Sequence, residues 1–143
     1  MPPTRIGPYR ILRALGEGGM GAVYEALNES IERRVALKVL HPEYARNPEA
    51  VSRFFNEARA VNRIEHPNIV QVSEFSKAED GTVYLVMEFL RGETLGTRLE
   101  TLTAAGRRMR LIDALQVTAQ LADALTVAHE KGIVHRDLKP GNV

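Results

Sequence analysis

The sequence predicts an α+β protein whose first ninety or so residues are mostly strands and whose remainder is mostly helical. Two patterns carry this reading. Up to about residue 90, short runs of alternating apolar and polar residues are separated by Gly-, Asn- and Asp-containing turns, whereas residues 47–61 and 111–131 place apolar side chains at helical spacing. A composition of 44% hydrophobic and 26% charged residues belongs to a globular chain, not a disordered one.

Residues 9–15 read as a strand leading into Gly16-Glu17-Gly18-Gly19-Met20-Gly21, and residues 23–26 as its continuation, closed by a turn at Asn28-Glu29-Ser30. In residues 33–40, Val35, Leu37 and Val39 alternate with Ala36, Lys38 and Leu40, so Ala36 and Lys38 share one face. Asn47-Pro48-Glu49 is a helix start: a capping side chain, Pro in the first turn, and an acid at the positive end of the dipole. Val51, Phe54, Phe55, Ala58 and Val61 then form an apolar stripe bordered by Glu57. A carboxylate buried there needs a partner, and Lys38 is the natural candidate. Residues 69–75 and 82–89 are two strands joined around Glu79-Asp80-Gly81, and residues 95–100 a short helix. Residues 111–131 are a long helix, with Leu111, Leu115, Thr118, Ala122, Leu125 and His129 on one face and Gly132 as its cap. Ile133-Val134 is expected as a short strand.

Bulk properties exclude several classes of function. The net charge of +1, with no extended basic block, gives no reason to expect a nucleic-acid or membrane partner. The absence of Cys removes disulfides and thiolate metal sites, and no His/Asp/Glu group has metal-ligand spacing. The start, Met1-Pro2-Pro3-Thr4-Arg5, lacks the apolar core of a signal peptide, and no apolar run reads as a membrane span. A soluble, cytoplasmic segment is therefore expected.

Chemistry is concentrated in four motifs. His135-Arg136-Asp137-Leu138-Lys139-Pro140-Gly141-Asn142 fits H-R-D-L-x-x-x-N. Residues 16–23 fit G-x-G-x-x-G-x-V, and Val35-Ala36-Leu37-Lys38 fits V-A-I-K with Leu for Ile. His66-Pro67-Asn68-Ile69-Val70 follows the first long helix. The glycine pattern alone also suits a dinucleotide-binding turn, but that turn needs a helix next, and Ala22-Val23-Tyr24-Glu25 leads into a strand. Together, in this order and spacing, the motifs resemble the eukaryotic-type (Hanks-type) serine/threonine protein kinases, in a bacterial wording, over roughly the first half of a kinase domain.

The resemblance implies a kinase-like fold: a five-stranded antiparallel N-lobe sheet with one long helix, then the start of a mainly helical C-lobe. The domains would be a lead-in at 1–8, an N-lobe at 9–90, and a hinge with partial C-lobe at 91–143. It implies ATP and magnesium as cofactors and a protein Ser or Thr as substrate. Gly16, Glu17, Gly18 and Gly21 would cover the phosphates, Lys38 would bind them while held by Glu57, and Val23 and Ala36 would sandwich the base. Met87 would be the gatekeeper, with Glu88 and Leu90 offering backbone atoms to adenine. Asp137 would accept the hydroxyl proton, Lys139 would contact the transferring phosphate, and Asn142 would bind Mg²⁺. His135 would be structural. No Asp-Phe-Gly occurs within the 143 residues, so the segment alone is expected to turn over poorly and to self-associate through an uncovered helical face. The alternative is a non-catalytic, nucleotide-binding remnant of a kinase.

Overall fold

The computed structural model describes residues 3–143, which divide into two compact units. The first comprises residues up to Arg63 together with Val70–Leu90. Its sheet has six strands, β1 (Arg5–Ile6), β2 (Tyr9–Gly18), β3 (Gly21–Asn28), β4 (Arg33–Leu40), β5 (Val72–Lys77) and β6 (Val83–Glu88), in the order β1-β2-β3-β4-β6-β5. Every pairing is antiparallel. The strand beyond the expected five is β1, two residues turned back onto Tyr9 and Arg10 by Gly7 at φ +50°. Two residues are too short for alternation to reveal them, yet Ile6 is buried in the core.

Both faces of the sheet are covered, which explains the central strands' almost unbroken apolar run. On one face, Ile6, Tyr9, Ala26, Val35, Leu37, Tyr84 and Val86 form a cluster, with the rings of Tyr9 and Tyr84 meeting edge to face. On the other, Leu40, Val72, Val83 and Leu85 pack against Phe54 and Ala58 of helix α2 (Pro48–Asn62). A single turn of helix, α1 (Pro42–Ala45), precedes α2. The start of α2 is fixed as its sequence predicts: the Asn47 side chain accepts from the amides of Glu49 and Ala50.

One charged side chain lies in this core. Glu25, 3% exposed, accepts hydrogen bonds from Arg13 Nε (2.7 Å) and Arg34 Nη1 (2.9 Å), one from each neighbouring strand. Two guanidinium groups on one carboxylate offset the cost of burying it.

The second unit comprises Ile64–Ile69 and Arg91–Val143. It contains α3 (Leu95–Ala104), longer than expected, and α4 (Leu111–Glu130), ended by Gly132 at φ +70°. His66 accepts from the Asn68 amide at Nδ1, so Nε2 carries the hydrogen it donates to Asp123 on α4 (2.9 Å). Asn68 adds a second tie, to Gln120. Ile133 and Val134 form no strand; the Ile133 amide instead donates to the Ala128 carbonyl at the end of α4 (2.9 Å). Contrary to the sequence expectation, α4 is by length and composition apolar enough to cross a bilayer, with a mean hydropathy of 1.2. Its mid-helix Asp123, bound to His66, suits a globular helix better, because a carboxylate at bilayer depth is costly.

Candidate active site

The glycine-rich segment is a tight hairpin: Gly18 pairs with Gly21 across Gly19-Met20, and both strands continue from it. The motif glycines differ in what they do. A Cβ on Gly21 would lie 2.1 Å from the backbone oxygen of Val39, so only glycine lets β3 approach β4 there. Gly16 and Gly19 have nothing within 4 Å of such an atom, and neither has a positive φ. Their neighbours in the protein do not demand glycine. Open backbone amides with no Cβ above them are what an approaching phosphate requires. Glu17 lies at this tip, exposed.

Strand register brings the next group together. Val23 faces Lys38 across β3–β4, and Ala36 faces Met87 across β4–β6. Alternation therefore sets Val23, Ala36, Lys38 and Met87 on one face of three adjacent strands. Glu88 ends β6, its side chain and amide both tied to the backbone of Gln71. Leu90 just beyond it is exposed.

The expected Lys38–Glu57 ion pair is not formed. Glu57 is exposed, and among the described residues no ion pair joins it to Lys38. The Lys38 ammonium instead lies 5.6 Å from the centroid of the Phe54 ring. Phe54 precedes Glu57 by three residues, so the two differ by roughly 60° around the helix and about 4.5 Å along it. The reason is packing: the apolar stripe of α2 turns its largest buried ring, not its carboxylate, onto the sheet. Phe54 was legible as core; that it also receives the Lys38 ammonium was not.

In the second unit, Asp137, Lys139 and Asn142 converge. Lys139 Nζ is 3.0 Å from Asp137 Oδ2, and Asn142 Nδ2 donates to the Asp137 carbonyl (2.8 Å) and to Oδ2 (3.1 Å). The Lys139 ammonium, then the Asn142 amide, hold the Asp137 carboxyl below its ordinary range. The loop is braced from within. The Asp137 amide donates to His135, Arg136 takes a left-handed φ of +62°, and a 3-10 turn (Pro140–Asn142) follows. That φ costs a non-glycine residue about 1–2 kcal/mol. Against this loop sits α3, with Leu95 donating to the carbonyl of Val143 at 2.7 Å. His135 is exposed and serves as an acceptor within its own loop.

Metal binding would depend on the same residues. Among those described, no three His, Asp or Glu side chains are grouped to hold an ion. Asn142 and Asp137 offer a few hard oxygen atoms, which fits Mg²⁺, an ion that keeps much of its coordination from phosphates and water. A cavity of about 860 Å³ lies elsewhere, lined in part by Ala22, Tyr24 and Val39, which alternate to the face opposite Val23 and Lys38.

Residues 9–143 match the family model for the protein kinase domain. The chain belongs to this family. It is 49% identical over 98% of its length to the serine/threonine-protein kinase Pkn1 of Myxococcus xanthus, and 42% identical over 98% to PknA of Mycobacterium tuberculosis. It spans 19% of the first relative and 32% of the second. Among solved structures, the kinase domain of Mycobacterium tuberculosis PknI superposes with a TM-score of 0.74 at 29% identity, covering 97% of this chain and 56% of that one. The kinase motifs thus occur on a kinase fold, among bacterial serine/threonine kinases.

Proposed function

We propose that these 143 residues supply the nucleotide-binding part and the catalytic loop of a cytoplasmic kinase that transfers the γ-phosphoryl group of ATP to Ser or Thr hydroxyls of proteins. The N-lobe would be residues 9–90, and the hinge and partial C-lobe residues 91–143. The observation that carries the reading is the convergence of Lys139 and Asn142 on the Asp137 carboxylate. Magnesium-bound ATP, when present, supplies the electrophilic phosphorus and the charge that balances its oxygens. The chain's own residues do the remainder. Asp137, kept ionised by its neighbours, orients a hydroxyl and accepts its proton at Oδ. Lys139 would contact the transferring phosphate, Asn142 would offer an oxygen to magnesium, and Lys38 would bind the phosphates.

The test is transfer of labelled phosphate from ATP to myelin basic protein by the protein in its native length. Asp137→Ala is expected to lower the rate by at least about 10²-fold. An undiminished rate would refute the assignment. The 143-residue segment made alone is expected to be nearly inactive, because Asn142 is the one motif magnesium ligand it contains.

A further inference from the structure

His41, the first residue after β4, belongs to none of the motifs, yet the glycine hairpin is fastened to it. Its backbone amide donates to the carbonyl of Met20 at 3.0 Å. Its ring Nε2 lies 3.3 Å from the carbonyl of Gly18. A carbonyl can only accept, so Nε2 carries the hydrogen in this contact. Beside these, Gly21 is pressed against the Val39 backbone. The returning arm of the hairpin is therefore clamped to the end of β4 at Val39 and at His41. The outgoing arm is held to β3 by the strand ladder, and Met20 at the tip packs on the core, whereas Gly16 and Gly19 stand in open space. The His41 ring, just beyond β4, reaches across to the outgoing strand at Gly18.

We infer that His41 is a positioning residue for the phosphate-covering hairpin: its imidazole Nε2–H, bonded to the Gly18 carbonyl, holds the tip at a fixed height and so sets nucleotide affinity. The inference rests on the nucleotide-binding reading above. Physically, a flexible loop must give up its freedom when phosphates bind, and a side chain that has already restrained it lowers that cost. One net hydrogen bond corresponds to about a two- to tenfold change in an equilibrium constant. The Glu17 carboxylate stands 3.9 Å from the same nitrogen, too far for a hydrogen bond.

The experiment compares wild type, His41→Leu and His41→Gln in the protein of native length. Leu keeps an apolar body and removes the donor; Gln restores an N–H. Backbone ¹⁵N order parameters for residues 16–21 are measured without nucleotide, and N-methylanthraniloyl-ATP with magnesium is titrated separately. Slow exchange at the Leu37 and Val86 amides verifies that the sheet is intact. In His41→Leu, order parameters at Gly18 and Gly19 are expected to fall below about 0.6 and affinity to drop about two- to tenfold, with His41→Gln closer to wild type. An unchanged hairpin in a folded His41→Leu protein would overturn the tether. A loosened hairpin with unchanged affinity would overturn its role in positioning. Failure of wild type to bind the nucleotide would overturn the ATP reading and the affinity claim together, while the order parameters would still decide the tether.

Discussion

Replacing Phe54 and Glu57 separately by alanine distinguishes the observed phase of α2 from the phase its motif suggests. Phe54 is 2% exposed and sits among Leu40, Ala58, Val72, Val83 and Leu85, with the Lys38 ammonium over its ring. Truncating such a ring removes transfer free energy and leaves a cavity, about 3–5 kcal/mol together. Loss of the cation–π contact to a half-buried lysine adds roughly 0.5–1 kcal/mol. Glu57 is exposed and unpaired with Lys38, so Glu57→Ala is expected to stay within about 0.5 kcal/mol of wild type. Were the pair buried and formed, the same substitution would cost about 3–5 kcal/mol.

The assay is thermal unfolding of the whole chain, with hydrogen exchange at the Leu37 and Val86 amides reporting the sheet. For a unit of this size each kcal/mol shifts the midpoint by about 4–8 °C, so Phe54→Ala should lower it by at least about 12 °C and Glu57→Ala by no more than about 4 °C. A loss at Glu57 comparable with that at Phe54 would refute the placement of Phe54 under Lys38.

Three further outcomes follow from the structure. Gly21→Ala should disrupt the β3–β4 edge, because its Cβ would meet the Val39 carbonyl at 2.1 Å, whereas Gly19→Ala should leave stability nearly unchanged; circular dichroism melts of both decide it. Tyr9 is buried and donates to Glu74, which pushes its pKa up to about 12. Its folded pKa lies above the unfolded value near 10, so its contribution is intact below pH ~10 and is lost as pH rises towards ~12. Urea midpoints across that window should fall more in wild type than in Tyr9→Phe, and parallel curves would refute it. Leu111, Ile112 and Leu115 on α4 are 75%, 54% and 56% exposed, so the 143-residue chain made alone should self-associate; a monomer by sedimentation velocity at high concentration would contradict this.

What the sequence made legible is what local rules control. The Asn47 cap, the Gly132 stop and the five longer strands each follow from a few adjacent residues. The closeness of Asp137, Lys139 and Asn142 was foreseeable from their places in one short loop. What was not legible depends on residues distant in sequence. β1 exists because Ile6 fills space beside Tyr9 and Tyr84, which no pattern at residues 5–6 announces. The phase of α2 is the clearest case. Periodicity placed both Phe54 and Glu57 near the apolar stripe, and motif logic favoured the carboxylate for Lys38. Burial of a phenyl ring decided otherwise. The role of His41 was hidden for the same reason, since its partner Gly18 lies 23 residues away.

The two units carry their chemistry in different states of readiness. In the loop at residues 135–142, the Asp137 carboxylate is already partnered. Lys139 and Asn142 hold it ionised, and the strained Arg136 backbone is braced by bonds within the loop. A base stabilised in this way is weaker, so on the proposed reading the Lys139 contact would have to loosen before Asp137 Oδ2 took a proton. In the sheet, by contrast, Lys38 is parked on an aromatic ring. Moving it to a phosphate forfeits a contact worth roughly 0.5–1 kcal/mol, less than one charge-assisted hydrogen bond returns. Lys38 is thus held lightly, which suits the nucleotide-binding role proposed for it. Bringing Glu57 alongside would turn the buried Phe54 out of its cluster, at a cost that truncation of such a ring puts at about 3–5 kcal/mol.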